Sequence, residues 1–210
     1  MIMFGKSSHT RFELQGIYEG HLRVTYRGVP ALKCPFDYVI YQMIIHDLKP
    51  DIIVEIGTNK GGSTLYLADL LELNQKGIVH SIDLPENAEY PSLKDHPRVK
   101  LFKQGFLHYD TAALASFETV LVIEDASHQY DDSAKALEKF APFVTPGSYY
   151  IVEDAVVKAL GREKEFNGGP GKAIQEFLER NKTFAVDRGW CDFFGPNATF
   201  NTDGYLKRIS

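Results

Sequence analysis

DIIVEIGTNKGGSTLYLADLL, residues 51–71, is the stretch whose reading decides the fold. Ile52, Ile53 and Val54 form a short β-branched run, the pattern of a strand buried on both faces. Glu55 and Gly57 follow, and then the pair Gly61-Gly62. Ser63 or Thr64 is placed to cap a helix whose apolar positions are Leu65, Leu67, Ala68, Leu70 and Leu71. Strand, glycine-rich turn and helix make the first unit of an α/β sheet. Gly57 lets the chain turn sharply, and Gly61 or Gly62 would let backbone and ligand approach where a Cβ would clash.

Two nucleotide-cofactor classes use such a turn. A dinucleotide site usually shows G-x-G-x-x-G with the pyrophosphate on the helix N-terminus. Here an acid precedes the first glycine, and Asn59 stands where a middle glycine would be. A carboxylate there repels pyrophosphate but suits a ligand carrying an amino group and a sulfonium. The pattern resembles the E-x-G-x-G-x-G motif of class I S-adenosylmethionine (SAM) methyltransferases. Asn59 is tolerable in that pattern because Asn enters the left-handed region more readily than most residues.

Working outward, Asp37 reads as the N-cap of a helix running to Leu48, with Val39, Ile40, Met43 and Ile44 inward. Strands are expected at 78–82, 99–102, 120–123 and 149–152, with helices at 131–140 and about 172–180. Asp110 is placed to cap a short helix to Ser116, and residues 184–186 and 205–209 read as two last strands. The segment 85–97 reads as a surface loop or short helix. Alternating strands and helices predict an α/β, Rossmann-like fold: a mostly parallel sheet with helices on both faces. One domain over 1–210 is expected, with residues 1–36 as an N-terminal cover.

Composition sets limits on partners. A net charge of −5 with no Lys/Arg cluster argues against a nucleic-acid surface. The apolar runs are too short for a secretory signal or a membrane span. Cys34 and Cys191 are isolated, without metal or redox spacing, and read as free thiols of a cytoplasmic protein.

Four strands end in acids: Glu55, Asp83, Glu124-Asp125 and Glu153-Asp154. Ligands of open α/β sheets sit outside those strand ends. Asp83, closing the second strand, is placed to bind ribose hydroxyls. If the fourth and fifth strands are neighbours, Asp125, Glu153 and Asp154 converge, and a hard divalent cation would neutralise them. The alternative is that some point outward or pair with Lys and Arg. His128, three residues past Asp125, is placed to accept a proton from a metal-acidified hydroxyl.

By these residues the chain is similar to the cephalosporin hydroxylase-like group of class I methyltransferases. That group includes rhamnosyl O-methyltransferases and metal-dependent macrolide sugar O-methyltransferases. The resemblance rests on Tyr26-Arg27-Gly28-Val29-Pro30, Pro35-x-Asp37, EIGTNKGGS, the 120–155 core, Gly168-Gly169-Pro170 and Asp203 to Arg208. It implies Asp125, Glu153 and Asp154 as Mg²⁺ ligands and His128 as general base. Glu55, Gly57, Ser63 and Asp83 would belong to the SAM site, with Thr58, Gly62, Gln104 and Asp125 beside them. It also implies an antiparallel last strand.

The reading that follows is a Mg²⁺-dependent SAM O-methyltransferase acting on a small-molecule hydroxyl, a carbohydrate in the first instance. A vicinal aromatic diol would chelate the same metal and is the alternative acceptor. His108-Tyr109-Asp110 with His128 would fit an Fe(II) facial triad, although such oxygenases usually occupy β-sandwich scaffolds. A non-catalytic SAM-binding module is the remaining alternative. Trp190, Phe193, Phe194 and Phe200 could stack on an acceptor ring or belong to the core. A homo-oligomer is left open.

Overall fold

The computed structural model describes residues 13–84 and 90–210. The chain opens with helix α1 (Leu14–His21) and a small antiparallel ribbon, β1 (Thr25–Tyr26) with β2 (Val29–Pro30). Residues 1–12 of the expected cover, and 85–89 of the expected loop, lie outside the described residues. Helix α2 (Pro35–Leu48) leads into β3 (Ile52–Ile56), then α3 (Gly62–Leu73), β4 (Ile78–Ile82) and β5 (Val99–Phe102). Next come β6 (Val120–Glu124), α4 (Tyr130–Phe140), β7 (Tyr149–Val152), α5 (Gly169–Arg180), β8 (Phe184–Val186), α6 (Arg188–Cys191) and β9 (Tyr205–Arg208).

Seven strands form one sheet in the order β5-β4-β3-β6-β7-β9-β8. The pairs from β5 to β7 are parallel. Strand β9 runs antiparallel to both β7 and β8. The expected sheet, with its antiparallel last strand, is therefore present. That strand is inserted between β7 and β8, and β8 forms the edge.

Alternation along the central strands explains why both faces are covered. Ile52, Val54, Val120, Val122, Tyr150 and Val152 point to one face and pack with Leu137 and Phe140 of α4 and Ile174 of α5. Ile53, Leu121, Ile123 and Ile151 point to the other and meet Ile40 and Ile44 of α2 and Leu67 and Leu71 of α3. Truncating any of these fully buried aliphatic chains to Ala costs about 2–5 kcal/mol. Among the described residues no helix is long and apolar enough to cross a membrane.

Three local readings need correction. Asp37 does not cap α2; Cys34 holds the N-cap position, and Val39 is exposed rather than inward. Asp37 is fully buried, accepting hydrogen bonds from Thr199 Oγ1, Tyr205 Oη (2.8 Å) and the Phe200 N–H (3.0 Å). Burial pushes its carboxyl up to about 6. Ser63 and Thr64 do not cap α3, because Gly61 is its N-cap and both hydroxyls turn back to Glu55. The glycines also make room for the chain itself. A Cβ on Gly62 would strike the Pro30 carbonyl, and one on Gly57 the Asp125 carbonyl. Only a bare α-carbon at 62 lets the β1–β2 ribbon lie on the start of α3.

Candidate functional site

A cavity of about 660 Å³ opens at the carboxyl ends of β3, β4, β6 and β7. Its first half is built by the turn after β3 and the end of β4. Asn59 takes φ +49, and this left-handed turn points its N–H at Asp83 Oδ2 (2.8 Å). Leu84 N–H donates to Oδ1 (2.7 Å) and Tyr90 Oη to Oδ2 (3.1 Å). The carboxylate is thus fixed in the cavity wall before any ligand arrives. Gly57, Thr58, Gly62, Ser63 and Gln104 line the same half, with Leu84 and Phe106 as its apolar wall.

Glu55 is placed differently from its expected role. It is fully buried at the end of β3 and absent from the cavity lining. Ser63, Thr64 and Ser81 (2.7 Å) all donate to its carboxylate, so it locks α3 and β4 to β3 from behind. Burial raises its pKa, with Lys33 and the three hydroxyls opposing.

The second half holds the acids. Strands β6 and β7 are parallel neighbours with Glu124 opposite Val152, so Asp125, Glu153 and Asp154 emerge together. The ligand atoms of Asp125, His128 and Asp154 lie within 4.8 Å of one another, the only such group among the described residues. His128 Nε2 is 3.3 Å from Asp154 Oδ2, and Nδ1 is 4.0 Å from Asp125 Oδ1. Both His128 (φ +58) and Asp154 (φ +55) sit in the left-handed region. That strain costs about 1–3 kcal/mol for each residue and aims both side chains inward. His108 lines the cavity, but neither it nor Asp110, whose carboxylate caps the next turn at Ala112 N–H (3.0 Å), joins this group. The iron-triad arrangement does not form.

Glu153 turns away from the other two acids toward a residue missed in the sequence. Lys33 Nζ lies 2.5 Å from Glu153 Oε1 and 2.8 Å from Asp125 Oδ2, with its side chain 1% exposed. Tyr41 Oη donates to the same Glu153 oxygen (2.7 Å). Burial works against the Lys33 charge, but Asp125, Glu153 and Glu55 together hold it well above the usual lysine range. Burial, then Asp125, raises Glu153 well above the usual carboxyl range, against Lys33. Asp154 is also raised by burial, with His128 opposing. Glu124 stays behind the wall, its Oε2 without a partner and its pKa pushed up to about 7 by burial. One signal marks Lys33: it is a lone lysine in the apolar run Ala31-Leu32-Lys33-Cys34-Pro35, and a lysine drawn inside with such neighbours needs acids for partners.

The donor set suits a divalent cation, since two carboxylates and an imidazole, those of Asp125, Asp154 and His128, converge at the cavity. Aromatic groups at the cavity mouth are Tyr18 and Phe166, with Arg162 between them (5.6 and 5.5 Å to the ring centres). The aromatics considered from sequence do not line it: Phe200 is buried, and Phe193 and Phe194 are exposed elsewhere.

A family model described as "Rhamnosyl O-methyltransferase/CmcI" matches residues 19–209. A rhamnosyl O-methyltransferase of Mycobacterium leprae is 26% identical over 197 residues, covering 88% of this chain and 82% of its own length. Its counterpart in Mycobacterium tuberculosis is 26% identical over 172 residues, covering 76% and 69%. Among solved structures, CmcI in its apo form superimposes with a TM-score of 0.68 at 19% identity, covering 90% of this chain and 77% of that one. CmcI with Mg and SAM gives 0.63 at 20% identity, covering 90% and 78%. These two likenesses establish the fold.

Proposed function

The chain belongs to the rhamnosyl O-methyltransferase/CmcI family and is a SAM-dependent O-methyltransferase; from that premise we propose that it uses Mg²⁺ and methylates a sugar hydroxyl. The observation that carries this reading is that Asp125, His128 and Asp154 face the same cavity as Asp83. One cavity therefore offers a nucleoside anchor at one end and a cation-seeking acid cluster at the other.

Asp83 would accept hydrogen bonds from both ribose hydroxyls, a charge-assisted pair. Thr58, Ser63 and Gln104 would surround the rest of the donor. Asp125 and Asp154, with Glu153 as the third carboxylate, would hold the ion. When bound, SAM supplies an activated methyl group and Mg²⁺ lowers the pKa of an acceptor hydroxyl. His128 is the general base, because its ring stands beside both Asp125 and Asp154 and reaches any hydroxyl held there. Tyr18 and Phe166 would cover the faces of an acceptor ring and exclude water. What remains for the protein is positioning and electrostatics. The mycobacterial relatives' rhamnosyl activity supports a sugar acceptor.

The test is SAM turnover with a panel of rhamnosides and a catechol, in Mg²⁺ and in EDTA, followed by formation of the demethylated product. Turnover of a glycoside that EDTA stops and Mg²⁺ restores is the expected result. Turnover of the catechol alone would remove the sugar assignment, and full activity in EDTA would remove the metal.

A further inference from the structure

Lys33 is the least expected group in the site. It stands on the loop between β2 and α2, brought in because the ribbon packs over Gly62. Its ammonium lies between Asp125 and Glu153, two of the three carboxylates assigned to the ion. Glu153 spends one oxygen on both Lys33 and Tyr41, which leaves it outside the group formed by Asp125, His128 and Asp154. The charges follow simply. Ionised, as ligands of a cation are, the three carboxylates with one ammonium carry a net charge of about −2, the complement of one divalent ion.

We propose that Lys33 is a positioning residue that stands in for the divalent ion: it holds the acids together in the metal-free protein and yields Glu153 when the ion binds. This rests on reading Asp125, Glu153 and Asp154 as the ion's site. Two cations cannot both be close to the same carboxylate oxygens without mutual repulsion. Lys33 therefore lowers the affinity for the metal while keeping the empty site assembled. Without it, the buried Glu153 and the partly buried Asp125 and Asp154 would repel one another, and the empty protein would be weakened far more than the loaded one.

Calorimetric titration with Mg²⁺ and Mn²⁺ at one fixed pH tests this on wild type, Lys33→Met and Lys33→Gln, with thermal melts alongside. The Gln variant keeps a hydrogen-bond donor and loses only the charge, so it serves if the Met variant does not fold. Both variants should bind the metal at least about tenfold more tightly, a difference of about 1.4 kcal/mol. The metal should also raise their Tm more than it raises that of wild type. A merely structural lysine predicts the opposite, weaker binding after substitution, and equal or weaker binding overturns the proposal. In wild type, the NMR coupling across the Lys33 Nζ–H to Glu153 hydrogen bond should disappear on saturation with Mg²⁺. Its persistence overturns the proposal even if no variant folds. Failure of all three proteins to bind metal would instead remove the Mg²⁺ reading itself, and this inference with it.

Discussion

Two sets of acids lie at the ends of neighbouring strands, one fully buried and one partly open, and they are balanced by different means. Glu55, at the end of β3, is surrounded by neutral donors, three hydroxyls from α3 and β4. Of the acids after β6 and β7, Asp125 and Glu153 share one lysine, and Asp125 and Asp154 stand beside one histidine. Hydroxyls satisfy lone pairs and add no charge, so Glu55 is complete as a structural tie and closed to the cavity. The second set has one ammonium against three carboxyls, and Asp125 and Asp154 open to the cavity. Acidity alone does not mark a site; an unmet charge facing an open volume does.

The largest expected effect breaks this contrast on the open side. His128→Ala should lower the methyl-transfer rate by about 10²–10⁴, roughly 3–5 kcal/mol, while Mg²⁺ binding survives. Single-turnover rates would show it, and residual activity should climb with pH as hydroxide replaces the base. A variant that turns over normally at neutral pH would remove His128 from the chemistry.

Asp37 extends the closed side, since it too is held by neutral donors and burial pushes it up to about 6. A raised acid favours the folded state while protonated. Its contribution is present below the unfolded value near 3.8 and is lost as pH rises through about 6. The loss is about 3 kcal/mol between pH 4 and 8. Denaturant unfolding at several pH values should show a flatter profile for Asp37→Asn, and an unchanged slope would contradict the assignment.

Asp83→Ala should weaken SAM by more than about tenfold, or about 1.4 kcal/mol, measured by calorimetry. Equal affinity would take Asp83 out of the site. The smallest effect sharpens the comparison most. Glu55→Gln should cost about 1 kcal/mol of stability and leave Mg²⁺ affinity unchanged. A change in metal affinity would mean that the two acid sets act as one.

Strands were legible because their signal is local. Val99–Phe102 and Tyr149–Val152 are short apolar runs between turns, and they fold as such. Parallel pairing of β6 and β7 then followed from alternation with helices, and with it the approach of Asp125 and Asp154, whereas Glu153 took the other course open to it and paired with Lys33. Asp37 and Glu55 were misread because their partners are far away in sequence. Thr199 and Tyr205 decide the first, Ser81 the second, and no local pattern contains them. The glycines after β3 were read for a ligand, yet the groups opposite them, the Pro30 and Asp125 carbonyls, belong to the chain. Lys33 was hidden by its type, since lysine is ordinarily a surface residue and only its apolar neighbours betray it.

The insertion of β9 between β7 and β8 has a consequence for the order of assembly. Strand β8 has no partner in the sheet until residues 205–208 arrive, so the two strands join the sheet together. Asp37 likewise waits for Thr199, Phe200 and Tyr205 before the start of α2 can settle. Non-local pairings of this kind form late, because the intervening loop must close first. On a growing chain the parallel core from β3 to β7 can therefore form well before the loop bearing Lys33 is clamped in place. The acids after β6 and β7 can be brought together first, and Lys33, the positive charge between two of them, is among the last pieces to be seated.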